Sequence, residues 1–336
     1  MGVDACFYCQ LVPGPLDPVI YNDQEESGMG DYKIENITVI GPGMMGHAIA
    51  QEFAAAGYAV CLCGRDATRL DKAREKIENS LHELAEWELI AKDQVAPALD
   101  RIELTTDLEA AGSNADFVVE SVIEVLEVKE KLFAKLDAIC PKHTILASNT
   151  SSLMPTTLAA ATRRPDRFLI AHYFNPPYLM PLVEIVRGEG TSDDVVNTIF
   201  NLYKNISKRP IICQKEALGF IVNRLQLALW REAFSIVQRG IASPQDVDRA
   251  VKDSFGRRLG MVGPFELYEY IDGYDLTLQC EKYILPDIDT SNTSYPLLLE
   301  KVEKGELGAK TGKGLSLIHI SEPTRLDARS RMPSSA

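Results

Sequence analysis

Gly41-Pro42-Gly43-Met44-Met45-Gly46, a G-x-G-x-x-G, stands between an apolar run over 34–40 and an amphipathic run over 44–56. The first run predicts a strand, and Ile49, Phe53 and Ala56 share one face of the helix predicted after it. Between a strand and a helix, such a turn is built to cradle phosphate. Gly41 permits the tight turn, Gly43 lets the backbone approach a pyrophosphate, and Gly46 lets the helix pack on the strand. The free amides around Met44 and Met45, with the positive helix end, need no cationic side chain to hold the anion.

Outward from this turn, strand-like and helix-like runs alternate, the pattern of a mostly parallel sheet covered on both faces. Strands are predicted over 58–63, 102–105, 116–120, 144–147, 168–173, 182–186 and 210–213. Leu70, Ala73, Ile77, Leu81 and Leu84 mark an amphipathic helix over 66–91, and further helices are expected over 126–139 and 192–206. From Gly219 the pattern changes. Residues 220–240 are apolar around most of a helix, so burial on several sides is expected, and Ser243-Pro244-Gln245-Asp246 restarts a helix. The fold class is therefore α/β, a doubly wound, mostly parallel sheet followed by an all-helical domain. The expected divisions are a disordered or non-native extension at 1–32, a nucleotide-binding domain at 33–214, a helical domain at 215–315, and a tail at 316–336 resembling translated vector sequence.

With 336 residues, 46% hydrophobic and 25% charged, the chain can bury two cores. A formal charge of −13 leaves no broad cationic surface for nucleic acid or an anionic membrane. No apolar run of about 18 residues suggests a spanning helix. Seven scattered cysteines fit a reducing cytoplasm better than a disulfide framework, and the lone Cys6-x-x-Cys9 lacks the partners of a zinc site, so no metal is expected.

A carboxylate at the tip of the second strand, about 20 residues beyond the glycines, would hold the ribose 2′-hydroxyl of NAD. That tip reads Gly64-Arg65-Asp66. Gly64 removes charge repulsion and Arg65 supplies a cation, so NADP as well as NAD is an expected cofactor; Asp66 could still serve the ribose.

Of five histidines, His172 alone ends a predicted strand, in Ala171-His172-Tyr173-Phe174-Asn175-Pro176-Pro177, where open α/β sheets place ligands. A satisfied structural histidine is the competing explanation. Five motifs in order settle the weight: Gly41 to Gly46, Ser148-Asn149-Thr150-Ser151-Ser152, His172 to Pro176, Leu182-Val183-Glu184, and Gly219-Phe220-Ile221-Val222-Asn223-Arg224. Over roughly 33–315 the chain resembles the 3-hydroxyacyl-CoA dehydrogenase family, including its lambda-crystallin and L-gulonate 3-dehydrogenase branch.

The resemblance implies a Rossmann domain, a helical domain that forms a homodimer, and hydride transfer between a nicotinamide and a small-molecule substrate. By motif, His172 would be the catalytic base and Glu184 the carboxylate orienting it, with Ser151 and Asn223 bonding the substrate oxygen. Glu124, Lys129, Asn175 and Lys310 fall on family cofactor positions, and Ser80 on a position that contacts the acyl-CoA. Taken singly, a Glu or Lys is usually a solvated surface residue, Ser151 an ST-turn and Asn223 a helix cap. Trp87 stands where family members often carry a lysine for the CoA phosphates, and Pro177 to Pro181 is similar to relatives that oxidise free hydroxy acids. A short-chain 3-hydroxyacyl-CoA is the preferred substrate, a free 3-hydroxy acid (L-gulonate- or carnitine-like) the second. A third reading is a non-catalytic dinucleotide-binding protein, which the His172 and Glu184 positions argue against.

Overall fold

The structure, a computed structural model, describes residues 32–316 apart from 272 and 309. Cys6 and Cys9, and nearly all of the expected extension and tail, lie outside the described residues. Tyr32 is the exception at the first end. It packs against the core, with the Arg167 guanidinium 4.5 Å over its ring and donating to its hydroxyl at 2.9 Å, so the folded part begins before residue 33.

The chain divides into two compact units, through Arg224 and from Leu225. The first is built as β1 (Asn36–Ile40), α1 (Gly46–Ala55), β2 (Ala59–Cys63), α2 (Ala67–Glu86), α3 (Val95–Asp100), β3 (Ile102–Thr105), α4 (Leu108–Gly112), β4 (Phe117–Glu120), α5 (Leu126–Ile139), β5 (Ile145–Ser148), α6 (Pro155–Ala159), β6 (Phe168–Tyr173), β7 (Leu182–Arg187), α7 (Asp193–Asn205) and β8 (Arg209–Cys213). One eight-stranded sheet runs in the order β3-β2-β1-β4-β5-β6-β7-β8. Side chains alternate across it. Ile37 and Val39, Phe117 and Val119, and Ile145 and Ala147 enter one core, while Ile40, Val118 and Leu146 enter the other. Both faces are therefore buried.

β1 to β6 pair in parallel, but β7 runs antiparallel to β6. The reason is chain length. Only residues 174–181 join them, too few for the dozen or more residues of a parallel crossover. This reversal sets His172 directly opposite Glu184 in the ladder.

The helix expected over 66–91 stops at Glu86, because Glu88 takes a left-handed φ of 60° and turns the chain before a short 3₁₀ turn and α3. Asp66 caps its start, accepting from the amides of Thr68 and Arg69.

α8 (Val222–Gln238) opens before the division and continues into the second unit, which also contains α9 (Pro244–Lys252), α10 (Phe255–Leu259), α11 (Pro264–Ile271), α12 (Gly273–Ile284) and α13 (Pro296–Glu303). The division falls inside α8, ten residues beyond the boundary expected at 214/215. The expected burial of this helix is not met within one chain. Among the described residues of α8 only Ser235 is buried, and Leu225, Leu227, Leu229 and Trp230 are exposed. Among the described residues, no helix is long and apolar enough to cross a membrane.

Candidate active site

Two neighbouring strands present the reactive pair. His172 Nδ1 lies 2.7 Å from Glu184 Oε2, with Glu184 fully buried and His172 nearly so. A carboxylate sealed from water needs partners. The other oxygen, Oε1, accepts from the amides of Ile221 at 3.0 Å and Val222 at 2.9 Å, where α8 begins. Those amides face it because Gly219 and Phe220 both turn left-handed, at φ 75° and 49°. Phe220 is not a glycine, so the turn is strained and is held by its surroundings. Phe220 and Phe174 pack edge-on against the imidazole, at 5.4 and 4.7 Å between centroids. With Nδ1 committed to the carboxylate, Nε2 is the nitrogen left for a proton from substrate.

Around this pair, Asn223 Nδ2 donates to the Ser151 carbonyl at 3.4 Å, so the two residues assigned to the substrate oxygen are neighbours. Ser151 is exposed and Asn223 half-buried. Asn223 lies inside α8 rather than at its cap. Asn149 bridges the strands, accepting from the Tyr173 amide at 2.8 Å. Asn175 is exposed just beyond β6.

Lys129 is not a solvated surface residue. It is 1% exposed, 2.6 Å from Glu120 Oε1 and 3.3 Å from Glu124 Oε2. Glu120, fully buried, also accepts from Ser148 Oγ at 2.5 Å and the Val122 amide at 2.6 Å. Glu124 takes the Thr150 hydroxyl and, at 2.8 Å, Ser152 Oγ. Burial acts to raise Glu124, but the Thr150 and Ser152 hydroxyls and Lys129 outweigh it and hold the carboxyl below its ordinary value. The network pins the Ser148–Ser152 segment to β4 and the loop after it. Glu120, the buried partner of Lys129, was not read from sequence, and Thr150 and Phe220 stood there only as motif members without a role.

The glycine turn has the shape that a pyrophosphate requires. A Cβ on Gly41 would meet the Ser121 carbonyl oxygen at 2.5 Å, and one on Gly46 the Gly41 carbonyl oxygen at 1.8 Å, so both are needed for closure. At Gly43 a Cβ would meet nothing within 4 Å, so that glycine is not required by protein packing. No side chain caps the first turn of α1, whose His47 amide donates to the Gly43 oxygen at 3.3 Å, and a helix start without a side-chain cap suits an anion. Met44 is exposed and Met45 half-buried beside it. His47 turns back on the loop, with Nδ1 2.7 Å from the Gly43 oxygen, and burial lowers its pKa. These residues fit a dinucleotide.

At the tip of β2, a Cβ on Gly64 would lie 2.7 Å from the Pro42 ring, so an acid there would collide with the glycine turn. Arg65 is exposed. Asp66 spends Oδ1 on capping α2. Ser80 is 7% exposed, and its hydroxyl is buried within the first unit rather than presented at a surface. Its side chain lies on the buried face of α2. Lys310 is exposed in the second unit.

Comparison with known proteins gives the same direction. Residues 36–217 match the model of the 3-hydroxyacyl-CoA dehydrogenase NAD-binding domain, and 219–316 that of its C-terminal domain. The chain is 39% identical over 292 residues to the mitochondrial hydroxyacyl-coenzyme A dehydrogenase of Sus scrofa, covering 84% of this chain and 90% of that one. It is 32% identical over 284 residues to the 5-formyl-3-hydroxy-2-methylpyridine 4-carboxylate 5-dehydrogenase of Mesorhizobium japonicum, with 84% and 90% covered. Among solved structures, (S)-3-hydroxybutyryl-CoA dehydrogenase PaaH1 from Ralstonia eutropha matches with a TM-score of 0.71 and 34% identity, over 84% of this chain and 98% of that one.

Proposed function

The chain belongs to the 3-hydroxyacyl-CoA dehydrogenase family, and on that premise we propose that it moves hydride between a short-chain 3-hydroxyacyl-CoA and NAD, with His172 as base. The family is one of NAD-dependent oxidoreductases acting on CH–OH groups, which sets aside the non-catalytic reading. The observation that carries the residue assignment is the 2.7 Å bond between His172 Nδ1 and Glu184 Oε2.

Bound nicotinamide supplies the hydride acceptor. His172 Nε2 takes the hydroxyl proton of the substrate as its C–H bond breaks and the carbonyl forms. Glu184, held by two backbone amides, keeps the imidazole in the tautomer with Nε2 free and stabilises the imidazolium that results. Ser151 and Asn223 orient the reacting oxygen as negative charge builds on it. In the reverse direction the same imidazolium returns the proton.

Arg65 supports use of NADP beside NAD, since the position that would carry an excluding acid is closed by Gly64 against Pro42. The exposed apolar residues of the second unit, among them Leu227, Trp230, Met261 at 86% and Phe265 at 82%, support a homodimer in which a second copy covers them. Free thiols at all five described cysteines support a reducing, cytoplasmic location, with a role in fatty acid metabolism following from the substrate.

A free hydroxy acid is the second reading, favoured by two observations: the Ser80 hydroxyl is buried, and Trp87, just past the end of α2, stands where a phosphate-binding lysine is common. Turnover with 3-hydroxyacyl-CoAs and free 3-hydroxy acids, each with NAD and NADP, decides. The acyl-CoAs should show the higher kcat/KM. Turnover of free acids alone would replace the first reading with the second.

A further inference from the structure

Away from the reacting groups, one buried lysine joins three segments of the first unit. Lys208, 8% exposed, donates from Nζ to the Pro177 carbonyl at 2.6 Å and the Met180 carbonyl at 3.1 Å, and pairs with the Glu52 carboxylate of α1. An ammonium has three N–H donors, and here all three are spent. The residue before it, Ser207, holds a left-handed φ of 63° without being glycine, a conformation maintained only where the surroundings enforce it.

Both carbonyls belong to the loop 174–181. It leaves β6 directly after His172 and Tyr173 and enters β7 two residues before Glu184, at the carboxyl edge of the parallel strands, where ligands of open α/β sheets bind. Its own bonds are few: the amides of Leu179 and Met180 return to the Pro176 carbonyl. The same loop carries Tyr178, a half-buried phenol whose pKa burial raises. Lys208 therefore ties the rim of the site to α1, the helix that starts at the glycine turn.

We propose that Lys208, clamped by Glu52, is a positioning residue that holds the 174–181 loop in its substrate-ready form and thereby sets substrate affinity, while leaving the chemical step to the His172–Glu184 pair. The inference rests on the proposed dehydrogenase reading. The β6–β7 ladder keeps His172 opposite Glu184 independently of the loop, so loosening the loop leaves the pair in register. A loop that is substrate-ready only part of the time reduces apparent affinity by that fraction.

The test compares the full-length K208M, K208R and E52Q variants with the parent in steady-state turnover of 3-hydroxybutyryl-CoA with NAD, and in hydrogen exchange of peptides covering the loop. K208M should raise KM about tenfold or more with kcat within about threefold, and speed exchange across the loop. K208R, which keeps the charge and donors, should recover most of the parent KM. E52Q should fall between them, and it decides the question if K208M does not fold. Unchanged KM and unchanged loop exchange in both K208M and E52Q would overturn the inference, as would a loss confined to kcat. If the parent fails to use any 3-hydroxyacyl-CoA, the substrate proposal falls separately, and loop exchange alone then decides: acceleration in K208M supports the clamp, and none refutes it.

Discussion

Glu184 serves His172 with one oxygen and the first amides of α8 with the other, so the base and the start of the helical segment share a single buried carboxylate. An E184Q substitution keeps nearly the same volume but removes the charge that favours imidazolium and can present an amide N–H to Nδ1, selecting the wrong tautomer. The expected loss in kcat is about 10²- to 10⁴-fold. Steady-state kinetics at saturating NAD checks it, and near-parental kcat would remove Glu184 from the mechanism.

Two glycines of one turn should respond differently to alanine. Gly46 has the Gly41 carbonyl oxygen 1.8 Å from its missing Cβ, whereas Gly43 has open space. G46A should destabilise the fold, with a fall in Tm. G43A should keep its Tm yet bind NAD more weakly, since only a ligand approaches that face. Thermal melts and NAD titration of both proteins read the outcome; a G43A protein with parental NAD affinity would argue against the cradle.

Acid should weaken a tie on the far side of α5. Burial acts to raise Asp137, but hydrogen bonds from Arg163 and Arg164 outweigh it and lower its pKa. A carboxyl whose folded pKa is depressed adds stability above its unfolded pKa and loses it as pH falls through the folded value. D137N should therefore cost about 1.5–3 kcal/mol at neutral pH, and the difference from the parent should shrink below about pH 4. Denaturant melts at several pH values would show it; a pH-independent difference would contradict the assignment.

Arg65 at the tip of β2 offers a direct test of cofactor choice. R65A should reduce kcat/KM with NADP by about 10-fold or more, the loss of a charge-assisted contact, while barely changing it with NAD. Equal effects on the two cofactors would mean that Arg65 does not meet a 2′-phosphate.

Much of this was legible in the chain. The G-x-G-x-x-G after a strand foretold β1, α1 and the sheet, and strand edges such as 102–105 and 168–173 coincide with those of the structure. The reversal of β7 was readable in the eight-residue spacing but not drawn from it. Other features depend on tertiary contact: whether Lys129 is solvated or buried hinges on Glu120 nine residues away, and Gly64 is explained only by Pro42 across the turn. The exposure of Leu227 and Trp230 was hidden for a related reason, since an apolar helix signals that something covers it but not which chain does.

The most direct measurement is pre-steady-state hydride transfer to NAD in H172Q, with 3-hydroxybutyryl-CoA as substrate and NAD binding followed in parallel. The predicted result is a rate lowered by about 10²- to 10⁴-fold with NAD affinity intact. Hydride transfer at the parental rate would contradict the account.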